Sequence, residues 1–205
     1  MRLTEPRVTP LADSELTPEQ EEVVAPLRGG VAVPNGGVLL NIFRTMVRAP
    51  KALKRFNLWG GYILSGDNSI PPREREILIL RTGWLCRSGY EWVQHTRIGL
   101  QCGLTQEDIE RIKLGPDAAG WDAADAALIR VADDLVRDFF VSDATWAGLS
   151  GLSEKQRMDA VFTVGQYTQV SMFLNSFGVQ LDEGQTLDAD FPTVKLHLPQ
   201  VAPSS

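Results

Sequence analysis

Apolar residues recur along the chain at helical rather than alternating spacing, and the polar residues between them mark helix ends. Thr17-Pro18-Glu19-Gln20 reads as a capping box with proline at the first helical position. The apolar segments Val38 to Val47 and Lys51 to Leu64 are divided by Pro50. Pro71-Pro72 then opens a helix running to about Cys86 through Ile77-Leu78-Ile79-Leu80. Ser88-Gly89-Tyr90-Glu91 repeats the capping-box pattern and starts a helix that Gly103 ends. Thr105-Gln106-Glu107-Asp108 caps a shorter one. From Asp122 to Phe140 one stripe carries Ala124, Leu128, Val131, Leu135 and Phe139, with Arg130, Asp133, Asp134 and Arg137 off it. Ser153-Glu154-Lys155-Gln156 caps the last long helix, through about Phe177, before Gly178. The pattern predicts an all-α fold in a single multihelical domain, with no internal repeat and no glycine-rich phosphate loop.

Prolines gather at both ends, which divides the chain into an arm with one short helix over 1–37, a helical domain over 38–182 and a second arm over 183–205. Extended arms of this kind lie on their own domain or on a neighbouring subunit. Ala160 to Leu181 carries no charge, but Thr163, Gln166, Thr168, Gln169, Ser171, Asn175, Ser176 and Gln180 make it too polar for lipid. It reads as a helix buried in the core or between subunits.

A chain of 205 residues and 22.6 kDa buries about seventy per cent of its open-chain surface, so a core needs no staple. With 20 basic and 26 acidic residues the net charge is -6, the wrong sign for a non-specific nucleic-acid binder. Cys86 and Cys102 are too far apart for a CxxC and too few for a zinc quartet or a disulfide framework. The start, MRLTEPRVTP, lacks an apolar signal core, and the expected location is the cytoplasm with reduced thiols.

The densest polar group within apolar sequence is Glu76 together with Ser88 to His95. Glu91 and His95 are four apart on one predicted helix and share a face, continued by Ile98 and Cys102. A carboxylate beside an imidazole fixes its tautomer and raises its basicity, as acid–base catalysis requires. The bland alternative makes Glu91 a capping-box residue and His95 a hydrogen-bonded core residue. Two carboxylates and an imidazole also suit several divalent ions, but no dense ligand motif accompanies them, and no metal is expected. The chain's other histidine, His197, sits in the proline-rich tail. Trp59, Trp84, Trp92, Trp121 and Trp146 read as core or interface anchors, with Trp92 placed to line a pocket beside Glu91. Gln166, Tyr167, Gln169 and Asn175 either satisfy one another at a helix contact, the favoured reading, or bond a ligand.

Pro71-Pro72-Arg73-Glu74-Arg75-Glu76-Ile77-Leu78-Ile79-Leu80-Arg81, Cys86-Arg87-Ser88-Gly89-Tyr90-Glu91-Trp92-Val93-Gln94-His95 and Gly103-Leu104-Thr105 resemble the carboxymuconolactone decarboxylase family. That family shares its all-α fold with the alkylhydroperoxidase D (AhpD) proteins. The resemblance spans about 38 to 182, including Asn41-Ile42-Phe43-Arg44 and Leu174-Asn175-Ser176-Phe177-Gly178-Val179. In the AhpD branch a Glu and a Cys-x-x-Cys-x-x-x-His motif act together. Here Glu76 and His95 match, whereas Ser88 and Glu91 stand at the cysteine positions. A serine cannot form the sulfenate or disulfide of thiol peroxidase chemistry.

The decarboxylase branch implies a cofactor-independent lyase or isomerase acting on a small carboxylate-bearing ring compound. The expected roles are His95 as proton carrier, Glu91 orienting it and Glu76 in the proton path. The substrate site is expected to draw on Ser88, Tyr90, Trp92, Cys86 and an arginine for the carboxylate: Arg73 first, with Arg75 and Arg81 as further candidates. The resemblance implies a trimer or a trimer of dimers, with no nucleic-acid or membrane partner. An AhpD-like antioxidant protein using Cys86, and a non-catalytic oligomer, are the alternatives.

Overall fold

The computed structural model describes residues 3–28 and 37–191, and among these it holds nine α-helices and no strand. Pro34, Pro192, His197, Pro199 and Pro203 lie outside the described residues. The helices are α1 (Pro18–Val24), α2 (Asn41–Met46), α3 (Pro50–Leu64), α4 (Pro72–Leu85), α5 (Gly89–Gln101), α6 (Gln106–Leu114), α7 (Ala123–Asp138), α8 (Asp143–Gly148) and α9 (Glu154–Phe177). Short 3-10 turns at Asp13–Glu15 and Ala25–Arg28 flank α1.

Local chemistry accounts for most helix starts. Thr17, Thr105 and Ser153 each accept a hydrogen bond from the third residue of the helix that follows, closing the capping boxes read from the sequence. Asp122 and Ser142 cap α7 and α8. Prolines begin α1, α3 and α4, where a missing N–H costs nothing.

Ser88 is the exception among the expected boxes. It precedes α5, but its hydroxyl makes no capping bond, and the Glu91 side chain that would make the reciprocal one turns inward to His95.

Helix α4 is the axis of the fold. Nine successive residues, Arg75 to Gly83, are buried, as befits a helix covered on every side. It packs against α5, α6, α7 and α9. Ile77 and Leu80 face a cluster with Trp92, Ile109 and Ile129, whereas Ile79 faces Ile63, Tyr90 and Tyr167.

The stripe expected on α7 is rotated and cut short. Ala124 is exposed and Phe139 lies beyond the helix end, while Asp125 and Asp133 are buried. Their arginine partners on α4 explain this. Arg73 grips Asp125 and Arg81 grips Asp133, so the helix turns those carboxylates inward.

Both terminal segments lie on the helical body. The N–H groups of Arg7 and Val8 donate to the Phe177 carbonyl and that of Leu11 to the Arg44 carbonyl. Leu11 and Val24 share a cluster with Leu39, Val47 and Leu53. Gly178 ends α9 at φ 70°, where a Cβ would meet the Glu5 carbonyl oxygen at 2.8 Å, so the first segment crosses the point where only glycine fits. At the other end Phe191 packs on Trp84 and Trp92, and Asp188 binds Lys113 at 2.7 Å. No helix among the described residues is long and apolar enough to cross a membrane.

Candidate active site

Helices α4 and α5 run side by side, so Glu76 on the first meets His95 on the second. Their closeness depends on Gly99, where an added Cβ would strike Leu104 Cδ1 at 2.9 Å and Leu80 Cδ1 at 3.3 Å. Glu76 Oε2 lies 2.7 Å from His95 Nδ1. Glu91, one turn before His95, brings Oε1 to 3.1 Å from Nε2. That contact is close but poorly aligned, and Oε1 remains a buried acceptor with no directed donor. The imidazole is therefore held between two carboxyl groups, with the edge of the Tyr167 ring 4.8 Å away between centroids.

All three groups are shut away from bulk water: Glu76 is 1% exposed, Glu91 3% and His95 7%. Burial pushes the Glu91 carboxyl up to about 7; His95 opposes that rise and Glu76 adds to it. Burial alone would lower the basicity of His95, but Glu76 and Glu91 outweigh it and the imidazole is raised above its ordinary value, with Arg75 opposing. If Glu76 accepts the Nδ1 proton, the tautomer is set with the Nε2 lone pair toward Glu91.

His95 and Glu91 open onto a cavity of about 280 Å³ between α2, α3, α5 and α9 and the turn at Ala25–Arg28, whereas Glu76 stands behind them and does not line it. Its walls are mainly apolar, with Leu40, Ile42, Phe43, Phe56 and Val170 prominent. Polar groups come from Asn57, Tyr90, Gln94, Gln166 and Tyr167. Tyr90 and Gln94 are fixed by Asp182, which accepts from the phenol at 2.6 Å and the amide at 2.7 Å. A larger cavity of about 570 Å³ shares Phe56 with the first but is lined by no carboxylate or histidine, so it is not where this acid–base chemistry resides.

Of the expected site residues, the fold brings together His95, Glu91, Glu76 and Tyr90. Arg73 is elsewhere: its guanidinium forks onto Asp125 at 3.0 and 2.8 Å and reaches Glu74 at 3.3 Å. Arg81 is buried against Asp133 and the carbonyls of Ile112 and Lys113. Arg75 donates to the Leu64 and Ser65 carbonyls and does not line the cavity. Trp92 does not line it either. It sits on the other face of α5, against Trp84 and Phe191, with its N–H 3.4 Å from Asp188. Ser88 is fully buried outside the cavity, and the Cys86 carbonyl accepts a bond from Asn175 at 3.0 Å.

Gln166, Tyr167, Gln169 and Asn175 do not bond one another. Asn175 ties α9 to Cys86, Gln166 and Tyr167 line the site cavity, and Gln169 lines the larger one. Cys86 and Cys102 form no disulfide, and the Cys102 thiol is pushed up by burial and by the charge of Glu76. Among the described residues no group of three His, Cys, Asp or Glu side chains is arranged to hold a metal ion.

The helical architecture is that of the AhpD-like proteins. The chain superposes on the alkylhydroperoxidase AhpD core of an uncharacterized peroxidase-related protein from Ralstonia eutropha JMP134 with a TM-score of 0.74 at 15% identity, over 87% of this chain and 93% of that one. A TM-score of 0.72 at 15% identity relates it to the debrominase Bmp8 in complex with 2,3,4-tribromopyrrole, over 88% and 94%. An uncharacterized peroxidase-related protein from Silicibacter sp. TM1040 gives 0.66 at 16%, over 93% of each chain. At these identities the likeness is one of fold. Residues 50–134, from α3 into α7, match the model of the Carboxymuconolactone decarboxylase family. No curated protein matches the sequence.

Proposed function

We propose that the protein is a carboxymuconolactone decarboxylase-like lyase or isomerase that moves a proton on a small ring compound. His95 and Glu91 are the exchanging pair, and Glu76 holds the imidazole. The observation that supports this is the placement of His95 and Glu91 on the wall of a cavity with Glu76 behind them. Burial raises the Glu91 carboxyl to about 7 beside an imidazole whose basicity is also raised, which suits both groups to proton transfer near neutrality. Nε2 takes a proton from a ring carbon, and the electron pair left behind delocalises as an enolate. The pair then returns a proton to a different carbon, which isomerises the compound. In a lyase, loss of carbon dioxide creates the same enolate and the returned proton completes the product. The chain's own groups carry every proton in this reading.

A ring ligand on the same fold, the tribromopyrrole bound to the debrominase, supports a small cyclic substrate. A thiol peroxidase has less support, since Ser88 and Glu91 occupy the positions the resemblance gives to cysteines and the Cys102 thiol is raised rather than lowered. Exposed Leu58, Trp59, Met158 and Met172 support a homo-oligomer, for which the resemblance implies a trimer or trimer of dimers; a monomer by light scattering would remove that part.

The test is double-bond migration in a β,γ-unsaturated γ-lactone in deuterated water, followed by ultraviolet absorbance and NMR. The native protein should accelerate migration and introduce deuterium at the γ-carbon, and His95→Gln should abolish both. No acceleration across a panel of unsaturated lactones and cyclic enones would refute the reading.

A further inference from the structure

Charge is unevenly spread along the chain. The net charge is -6, yet no Asp or Glu occurs between Glu22 and Asp67, whereas Arg28, Arg44, Arg48, Lys51, Lys54 and Arg55 all lie in that stretch. Arg28 and Arg44 are paired, both of them with Asp13. Arg48, Lys51, Lys54 and Arg55 are exposed where α2 passes into α3, and among the described residues none of the four forms an ion pair. The rest of the sequence, outside the described residues, holds no Asp or Glu that could neutralise them.

Two of these cations, Arg48 and Arg55, line the larger cavity of about 570 Å³, which opens between the α2–α3 turn, α3 and α9. Its other walls are mainly apolar, with Met46, Leu53, Phe56, Trp59, Phe173 and Phe177 prominent. Phe173 stacks on Phe177 and tilts against Phe56, with centroids 5.7 and 6.1 Å apart, so the aromatic wall is built by contacts within the chain. Arg48 donates its Nε–H to the Thr9 carbonyl at 2.7 Å, and Arg55 donates from one terminal nitrogen to the Lys51 carbonyl at 3.0 Å. Each guanidinium has further N–H groups to give, and no carboxylate lines the cavity to receive them. An apolar wall edged by guanidinium groups without counter-charge is complementary to a molecule with an apolar body and one anionic end. The volume falls within the range of small-molecule sites.

We propose that this cavity binds an amphipathic carboxylate, a medium-chain or aromatic acid. Its carboxylate meets Arg48 and Arg55, and its apolar body lies along Phe56, Trp59, Phe173 and Phe177. The ligand is held and not transformed, and the site is separate from the cavity of His95 and Glu91, with Phe56 a wall of both. A second copy of this chain is a poorer occupant. Across a two-fold axis the same face meets itself, which would set Arg48, Lys51, Lys54 and Arg55 of one copy against those of the other. Of Leu58, Trp59, Met158 and Met172, the exposed residues that support a homo-oligomer, only Trp59 lines this cavity.

The experiment titrates the full chain with octanoate, and in parallel with 1-octanol, by isothermal titration calorimetry, with molar mass followed by light scattering. Octanoate should bind about tenfold more tightly than octanol, and added salt should weaken octanoate alone. Arg48→Gln combined with Arg55→Gln should bring octanoate down to the affinity of octanol. Ala52→Trp, at an exposed position on the cavity wall, should fill the space and abolish binding of both. If the double arginine variant fails to fold, the octanol comparison and Ala52→Trp decide. Absence of octanoate binding by the native protein, equal affinity for octanol, or undiminished octanoate binding in the folded arginine variant would each overturn the proposal. Binding that survives Ala52→Trp would do the same, because it would belong to the cavity of His95. So would a fall in molar mass as octanoate binds, because a partner copy would then be the occupant.

Discussion

Gly83 on α4 makes the room that the Glu91 side chain occupies: a Cβ at Gly83 would lie 3.3 Å from Glu91 Cγ and 3.5 Å from its Cβ. The carboxyl thus reaches His95 partly because the facing helix has no side chain there. Gly83→Ala should push Glu91 by a few tenths of an ångström. The gain in helix propensity, about 1 kcal/mol, should offset the crowding and leave thermal stability nearly unchanged. Lactone migration should fall while the melting temperature holds. Equal activity in the variant would show that Glu91 is not set by its contact with α4.

Stability should decline as pH rises through neutrality. The folded Glu91 carboxyl titrates at about 7 against 4.5 for its unperturbed value, so the native state binds the extra proton between them. His95 is also raised, and its contribution is complete below its unfolded value near 6.5 and lost as pH passes its folded one. The two act in the same direction. Unfolding free energy should fall from about pH 5 to pH 8, with Glu91 supplying up to about 3 kcal/mol. On the acid side Asp159 acts oppositely: against its burial, Lys155, Ser69 and Tyr62 hold its carboxyl below the usual range. Chemical denaturation across this range is the measurement, and Glu91→Gln should flatten the neutral decline. An unchanged slope in that variant would mean the proton resides elsewhere.

Features fixed within a few residues were legible in the sequence. Proline and capping residues placed the helix starts, and i,i+4 spacing put Glu91 and His95 on one face. Features fixed by distant partners were not. Glu91 reads as the far half of a capping box until its side chain is seen facing His95, and Asp133 reads as a solvent-facing residue until Arg81, 52 positions earlier, is found beside it. Arg73 was a reasonable carboxylate ligand, but sequence spacing cannot tell a substrate carboxylate from that of Asp125. Glu76 stood out as a carboxylate in apolar sequence and the resemblance paired it with His95, whereas the cavity is a property of several elements together and no single stretch announces it. Gln166 and Tyr167 carried a signal, polar residues in a long charge-free helix, but shared it with Asn175, which bonds backbone, and Gln169, which lines the other cavity.

Phe139 ends α7 in the left-handed region at φ 57°, with 78% of its surface exposed. A side chain in this conformation costs on the order of 1 kcal/mol, and here little burial compensates. Phe139→Gly should raise stability by up to about 1 kcal/mol, read as a higher melting temperature. Phe140→Gly, also at an exposed site but without positive φ, is the control and should give no gain. A loss in Phe139→Gly would reveal that the ring packs on something beyond this chain.

Arg81 separates scaffold from chemistry. Its guanidinium contacts Asp133 at 2.6 and 3.1 Å and the carbonyls of Ile112 and Lys113 at 2.8 and 3.1 Å, joining α4, α6 and α7 in one buried network. Arg81→Met leaves the buried Asp133 carboxylate with only the longer 3.5 Å contact to Arg137 and takes the Arg81 donor from two carbonyl oxygens. The expected cost is about 3–5 kcal/mol, because an uncompensated buried charge is worse than none. Adding Asp133→Leu removes that charge and should recover much of the loss, so the two substitutions should be strongly non-additive in a double-mutant cycle. Neither residue lines the site cavity, so lactone migration should be unchanged in the double variant at temperatures where it is folded. Were Arg81 an anchor for the substrate, lactone migration would vanish in the double variant while stability recovered; that outcome would return an arginine to the site.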